Sequence, residues 1–231
     1  MKIQEAIVLA GGLGTRLQPV IHDVPKPLAP INGIPFLTYL LDSLNQQNIT
    51  HVVLAVGYMH EKIQQLYNNK YKNIDITYSI EDKALQTGGA IKKALKYTKD
   101  KHICICNGDT FFQCDINTLF TKHISLNADI SVASKRMKSF NRYGQLITDN
   151  DKVIKLEEKK QCADGLINAG VYIINRDLLN MQTQNSFSFE YFLQNNVNNI
   201  SFIHNTFDRY FIDIGIPEDY KKAEIDFKEL F

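Results

Sequence analysis

The chain has 231 residues, 22% of them charged, and a formal net charge of +1. That length suffices for one large α/β domain, and so balanced a charge lacks the basic face that general nucleic-acid binding needs. The early apolar run at 6–10 is too short for a signal-peptide core, and no later run approaches the ~20 apolar residues of a membrane span, so the expectation is a cytoplasmic protein without a membrane partner.

Residues 6–10 read as a strand, and 36–44 carry apolar residues at helical spacing. A β-branched run at 52–56 predicts a second strand, 60–67 a helix, and 74–80 an alternating strand. Helical spacing returns over 88–97. Residues 102–106 predict a buried strand that stops at the turn signal Asn-Gly-Asp. Asp115 has the chemistry of a helix N-cap before 116–120. Strands are then expected at 130–133, 144–148, 153–156 and 167–174, with a short helix at 188–194 and a last helix at 217–230. The four cysteines, Cys104, Cys106, Cys114 and Cys162, show no metal-site spacing and read as reduced core thiols.

Strands alternating with helices imply βαβ units and a mainly parallel sheet, whose ligands gather beyond the carboxyl ends of the strands. Two features fall at such ends: the glycine-rich loop after Ala10, and Asn107-Gly108-Asp109. The loop belongs to LAGGLGTRLQPVIHDVPKPLAPI, residues 9–31. It is not a P-loop, because no Lys-Ser or Lys-Thr follows the glycines. Nor is it a dinucleotide fingerprint, because Leu17 stands where that motif has glycine or alanine. What remains is a turn whose amides can reach phosphate oxygens, with a helix expected to start after it. Arg16 offers two parallel donors, and Lys26, between Pro25 and Pro27, offers a compact charge. Asp213, in the apolar run FIDIG, and Asp109 are two hard-oxygen groups that could share a Mg²⁺.

These residues resemble the sugar-1-phosphate nucleotidylyltransferases, whose pattern is a GGxGTRL loop followed by PKP. LQTGGAI, NGDTFF, RYGQL, KLEEKK, GLINAGVYI, FSFEYFL and YFIDIGIPEDY continue the resemblance, in the family's order, over most of the chain. It implies a Rossmann-like three-layer α/β sandwich with a mainly parallel (mixed) central sheet, of the nucleotide-diphospho-sugar transferase type. One domain, 1–231, would carry the nucleotide in its N-terminal half and the sugar phosphate in its C-terminal half. The implied reaction moves a nucleotidyl group from an NTP to a sugar 1-phosphate, with Mg²⁺ as cofactor. NGDTFF, FSFEYFL and YFIDIGIPEDY fit best the subgroup that joins GTP to a heptose 1-phosphate. Mannose, glucose or other hexose 1-phosphates with GTP, UTP or dTTP are the alternative. A non-catalytic nucleotide-sugar sensor is the alternative of another class.

The same resemblance assigns residues. Arg16, Lys26, Asp109 and Asp213 are the catalytic set, with Asp109 and Asp213 on the metal. Leu9, Ala10, Gly11, Gly12, Gly14, Thr15, Gln86, Thr87, Gly88, Asn107 and Gly108 complete the nucleotide site. Tyr143, Gly144, Glu158, Lys159, Asn168 and Gly170 hold the sugar phosphate. The chain departs from the pattern at Gln86, where the family has glycine, and at Leu156 and Lys160, which flank the Glu-Lys pair and leave Glu157 as the other candidate acid. Homo-oligomerisation is left open.

Overall fold

The computed structural model describes residues 2–157 and 160–231. In chain order the first half contains β1 (Glu5–Leu9), the two-residue strands β2 (Pro30–Ile31) and β3 (Ile34–Pro35), α1 (Phe36–Gln46), β4 (His51–Val56), α2 (His60–Tyr67), β5 (Lys70–Tyr71) and β6 (Ile74–Ile80). It continues through α3 (Gln86–Ala94), β7 (His102–Asn107), β8 (Thr110–Phe112) and α4 (Ile116–Ser125). The second half contains β9 (Ile130–Phe140), β10 (Gln145–Asp149), β11 (Lys152–Glu157), β12 (Cys162–Asn175), α5 (Phe189–Asn196), β13 (Phe202–Thr206), β14 (Phe211–Asp213) and α6 (Pro217–Leu230).

Ten strands form one twisted layer in the order β10-β11-β13-β9-β12-β7-β1-β4-β6-β5. Its parallel block is β7, β1, β4 and β6, joined by the helical crossovers that parallel strands require. The second half makes the sheet mixed, as the resemblance implied: β12 runs antiparallel to both β7 and β9, and β10 and β11 form a hairpin. Its turn contains Asn150 at φ 49°, a backbone that asparagine tolerates better than most residues.

Alternation along the strands explains the three layers. Ala6, Val8, Val52, Leu54, Cys104 and Cys106 face one core with α1, α2 and α4. Ile7, Val53, Ala55, Ile103 and Ile105 face the other with α3 and α5. A third core, separate from both, joins Phe111, Ile212 and Ile214 to Tyr220, Ala223 and Phe227 of α6. Each fully buried Leu, Ile or Phe side chain contributes about 1.5–3 kcal/mol.

Three sequence expectations need correction. The glycine loop is not followed by a helix: residues 15–20 form successive turns, with Leu17 N–H bonded to the Gly14 carbonyl and Val20 N–H to that of Leu17 (both 2.9 Å). Pro19 removes a donor there and disfavours helical backbone at Gln18. The helix expected over 88–97 starts two residues earlier, at Gln86, and ends at Ala94 in a 3₁₀ turn, Leu95–Tyr97. The strands expected at 130–133 and 167–174 are the long β9 and β12, whose pairing shifts register between Asn168 and Tyr172.

Candidate active site

The site lies beyond the carboxyl ends of β1, β4, β6 and β7. Leu9 ends β1 between Ala55 and Asn107, and its carbonyl accepts from Gly108 N–H (2.9 Å). Ala10 N–H bonds the Ala55 carbonyl (2.8 Å). The turn then leaves the sheet: Gly12, Thr15 and Arg16 are exposed, and Gly14 takes φ 60° against Lys26.

Lys26 opens a one-turn 3₁₀ helix, Lys26–Leu28, set by Pro25 and Pro27. Its ammonium donates to Asp109 Oδ2 at 2.5 Å and lies 3.8 Å from Asp213 Oδ1. These two carboxylates, far apart in sequence, meet because β8 and β14 pair as a ribbon outside the main sheet, with Asp213 opposite Thr110. Ile214 N–H closes the ribbon onto the Asp109 carbonyl (3.0 Å). Asp213 Oδ1 accepts from Gly215 N–H (2.7 Å). Burial, then the nearby Asp109 charge, pushes the Asp213 carboxyl above its ordinary range, against the pull of Lys26.

Two carboxylates sharing one cation are a donor set suited to Mg²⁺, which takes one or two carboxylates and completes its shell with water and substrate phosphates. Among the described residues no group of three His, Cys, Asp or Glu side chains could hold a metal alone. A metal here would depend on the nucleotide for further ligands.

The segment 85–88 lies beside the glycine loop, linked to it through Glu81, a residue the sequence reading did not single out. Glu81 follows β6, and its Oε2 accepts from Leu85 N–H (2.9 Å). Its Oε1 lies 3.1 Å from the position a Cβ on Gly11 would take. Burial raises its pKa, opposed by the Leu85 amide and Lys93. Its only sequence signal was an acidic residue closing an apolar strand at the ligand edge. Gln86 is exposed and takes φ 59°, so this chain keeps a glycine-like backbone with a side chain on it. Gly88 lies within α3, where a Cβ would come 2.2 Å from Phe187 Cε2. Thr87 Oγ1 donates to Glu190 Oε2 (2.8 Å) and accepts from Phe189 N–H (2.9 Å), which turns its side chain toward α5.

Next to the carboxylate pair opens a cavity of about 370 Å³, whose lining includes Asn107, Asp213, Tyr143, Gly144, Asn168 and Gly170. The register shift in β12 shapes it, as bulges re-aim side chains next to sites. Gly170 takes φ 73°, and a Cβ there would lie 2.5 Å from Asn107 Nδ2. Asn168 is held on three sides. Its Nδ2 donates to Tyr172 Oη (2.6 Å), its Oδ1 accepts from Gly170 N–H (3.1 Å), and its backbone N–H donates to the Gly144 carbonyl (2.9 Å). Arg142, also missed in the sequence, lines the cavity, pairs with Asp219, and donates to Tyr143 Oη (3.2 Å). Burial, then the Asp213 charge, raises the Tyr143 phenol. Glu157 lines the cavity too and pairs with Lys155 and Lys160 at 2.8 and 2.6 Å. Glu158 and Lys159 lie outside the described residues.

This is the arrangement of a nucleotidyl-transferring enzyme: an amide-rich loop, a lysine between two carboxylates, and a polar cavity beside them. The chain belongs to the Nucleotidyl transferase family, whose profile matches residues 5–229. Members of this family use a divalent metal ion. It is 47% identical over 222 residues to the D-glycero-alpha-D-manno-heptose 1-phosphate guanylyltransferase of Aneurinibacillus thermoaerophilus, covering 95% of this chain and 96% of that one. It is 46% identical over 219 residues to the Campylobacter jejuni protein of the same name, covering 94% and 96%. The crystal structure of HddC from Yersinia pseudotuberculosis complexed with GMP-PN superposes with a TM-score of 0.87 at 34% identity, covering 97% of this chain and 100% of that one.

Proposed function

We propose that this enzyme transfers GMP from GTP to a heptose 1-phosphate, giving a GDP-heptose and pyrophosphate. The observation that carries this reading is Lys26 between Asp109 and Asp213, at the junction of the glycine loop and the cavity. A phosphate oxygen of the sugar attacks the α-phosphorus, the bond from that phosphorus to the bridging oxygen breaks, and pyrophosphate leaves with the electron pair. The nucleophile is already an anion, so positioning and charge neutralisation supply most of the catalysis. Lys26 reaches the phosphates nearest the reacting centre, and Arg16 with the amides of Gly11, Gly12 and Gly14 holds the pyrophosphate end. Asp109 and Asp213 would hold Mg²⁺, which supplies further neutralisation of the phosphates when bound.

Glu81 supports guanine as the base. Its carboxylate, beside Gly11, can accept the parallel N1–H and N2–H donors of guanine, which no other common base presents. Asn168, Tyr143 and Gly144 serve the acceptor side with Lys159 and Glu158. One continuous sheet through both halves supports reading the chain as one domain.

The test is pyrophosphate release with Mg²⁺, from four NTPs crossed with heptose, mannose and glucose 1-phosphates. GTP with heptose 1-phosphate is expected to give the highest kcat/KM. A higher value for a hexose or another base replaces that substrate assignment, and silence in every well supports the sensor. Glu81→Gln leaves one acceptor in place of two. It is expected to raise the GTP KM about tenfold or more while narrowing the preference for GTP over UTP; an unchanged preference removes Glu81 from base reading.

A further inference from the structure

One wall of the acceptor cavity is built by the start of α5, and it is tied to the donor side by one side chain. Glu190 and Ser188 line the cavity. Glu190 Oε2 receives two hydroxyls, from Thr87 (2.8 Å) and Ser188 (2.9 Å). Among the described residues, Glu190 Oε1 has no hydrogen-bond partner. Thr87 does not line the cavity. It sits in the first turn of α3, next to Gln86 and Leu85, the residue whose amide holds Glu81. Its hydroxyl also accepts from Phe189 N–H (2.9 Å), and Gly88 N–H bonds the Phe187 carbonyl (2.9 Å). The two helix starts are thus joined through backbone and side chain together.

A carboxylate with one oxygen pinned by two hydroxyls has lost rotational freedom before any ligand arrives, and its other oxygen is an acceptor for a ligand O–H. Around it the cavity offers Tyr191, Gln194 and Asn168, groups that suit a polyol rather than an apolar ligand.

We infer that Thr87 is a positioning residue for the acceptor: it holds the Glu190 carboxylate for a hydroxyl of the sugar and so couples the donor-side segment to acceptor recognition. The inference rests on the proposed function for its substrates. With its hydroxyl committed to Glu190 and to Phe189 N–H, Thr87 serves neither substrate through its side chain, in place of the nucleotide contact that the resemblance implied.

Steady-state kinetics on the full chain test this, with GTP and the best sugar 1-phosphate of the panel. Thr87→Val keeps shape and removes the hydroxyl. It is expected to raise the acceptor KM about tenfold, from loss of a charge-assisted hydrogen bond, with the GTP KM within twofold of wild type. Thr87→Ser restores the hydroxyl and is expected to return the acceptor KM to within about threefold. Glu190→Gln, nearly the same shape, is expected to match Thr87→Val, and serves if that variant does not fold. A GTP KM that rises while the acceptor KM stays put makes Thr87 a donor contact and overturns the inference. So does an equal loss in both with no rescue by serine, or a Glu190→Gln enzyme with wild-type acceptor KM. A wild type active with GTP, with variants that show either of these patterns, leaves the function standing; a wild type silent with every sugar 1-phosphate overturns both.

Discussion

Lys26 already places one positive charge where two carboxylates meet, within 2.5 Å of Asp109 and 3.8 Å of Asp213. Because burial and Asp109 both disfavour the Asp213 anion, that carboxylate is held at some cost to stability, a cost the proposed role at the reacting centre would account for. Asp213→Asn is therefore expected to lower kcat at least about a hundredfold while leaving Tm unchanged or slightly raised. Full turnover in that variant would remove Asp213 from the reacting centre. Gln86 makes the opposite trade on the backbone: a positive φ outside glycine costs about 1 kcal/mol. Gln86→Gly is expected to raise stability by about 0.5–1 kcal/mol in urea unfolding, and a loss would mean its side chain holds the turn. Lys26, Asp109 and Asp213 were legible in the sequence, since each stands at a proline or glycine punctuation of an apolar run. Glu81, Arg142 and Glu190 were not, because a single charged residue near a strand or helix end looks like solvated surface until another segment folds against it.

Among the elements, α4 carries a titratable group on its buried face. His123 is fully buried, its Nδ1 paired with Ser131 Oγ (2.8 Å) and its Nε2 near His102 and Asn175. Burial lowers its pKa to about 4, and burial lowers His102 and His204 as well. The unfolded chain, with an ordinary histidine pKa, then binds protons the native state refuses. Stability is expected to be full above about pH 6.5 and to fall as pH drops toward 4, by up to about 3 kcal/mol for His123. Urea unfolding of wild type and His123→Asn at pH 7.5 and 4.5 measures this, the variant losing less on acidification; equal losses would assign the effect elsewhere. Elements longer than five residues left a signal in the sequence, a period for α1 and β6 and a β-branched or buried apolar run for β4 and β7, though only part of β9 and β12 was read. The strands β2, β3, β5, β8 and β14 were not, because two or three residues carry no period. The register shift at Asn168 was hidden for another reason: it exists only as a relation between β12 and β9.

Across the whole molecule, the layered frame and the chemistry are held by different contacts. Ten strands between two helix layers place the glycine loop, Glu81 and Asn107 along one edge. Asp213 arrives on the β8–β14 ribbon, three residues per strand, resting on α6 through Phe111, Ile212, Tyr220 and Phe227. So small a unit can open without the main sheet. In dilute urea, turnover is therefore expected to vanish before far-UV circular dichroism changes, and amides at Phe211 and Ile212 should exchange with deuterium faster than those at Ile7 and Ile105. Coincident losses and equal exchange would show one cooperative unit. The enzyme's heat or denaturant tolerance, measured as activity, would then report the docking of its last helix rather than the durability of its sheet.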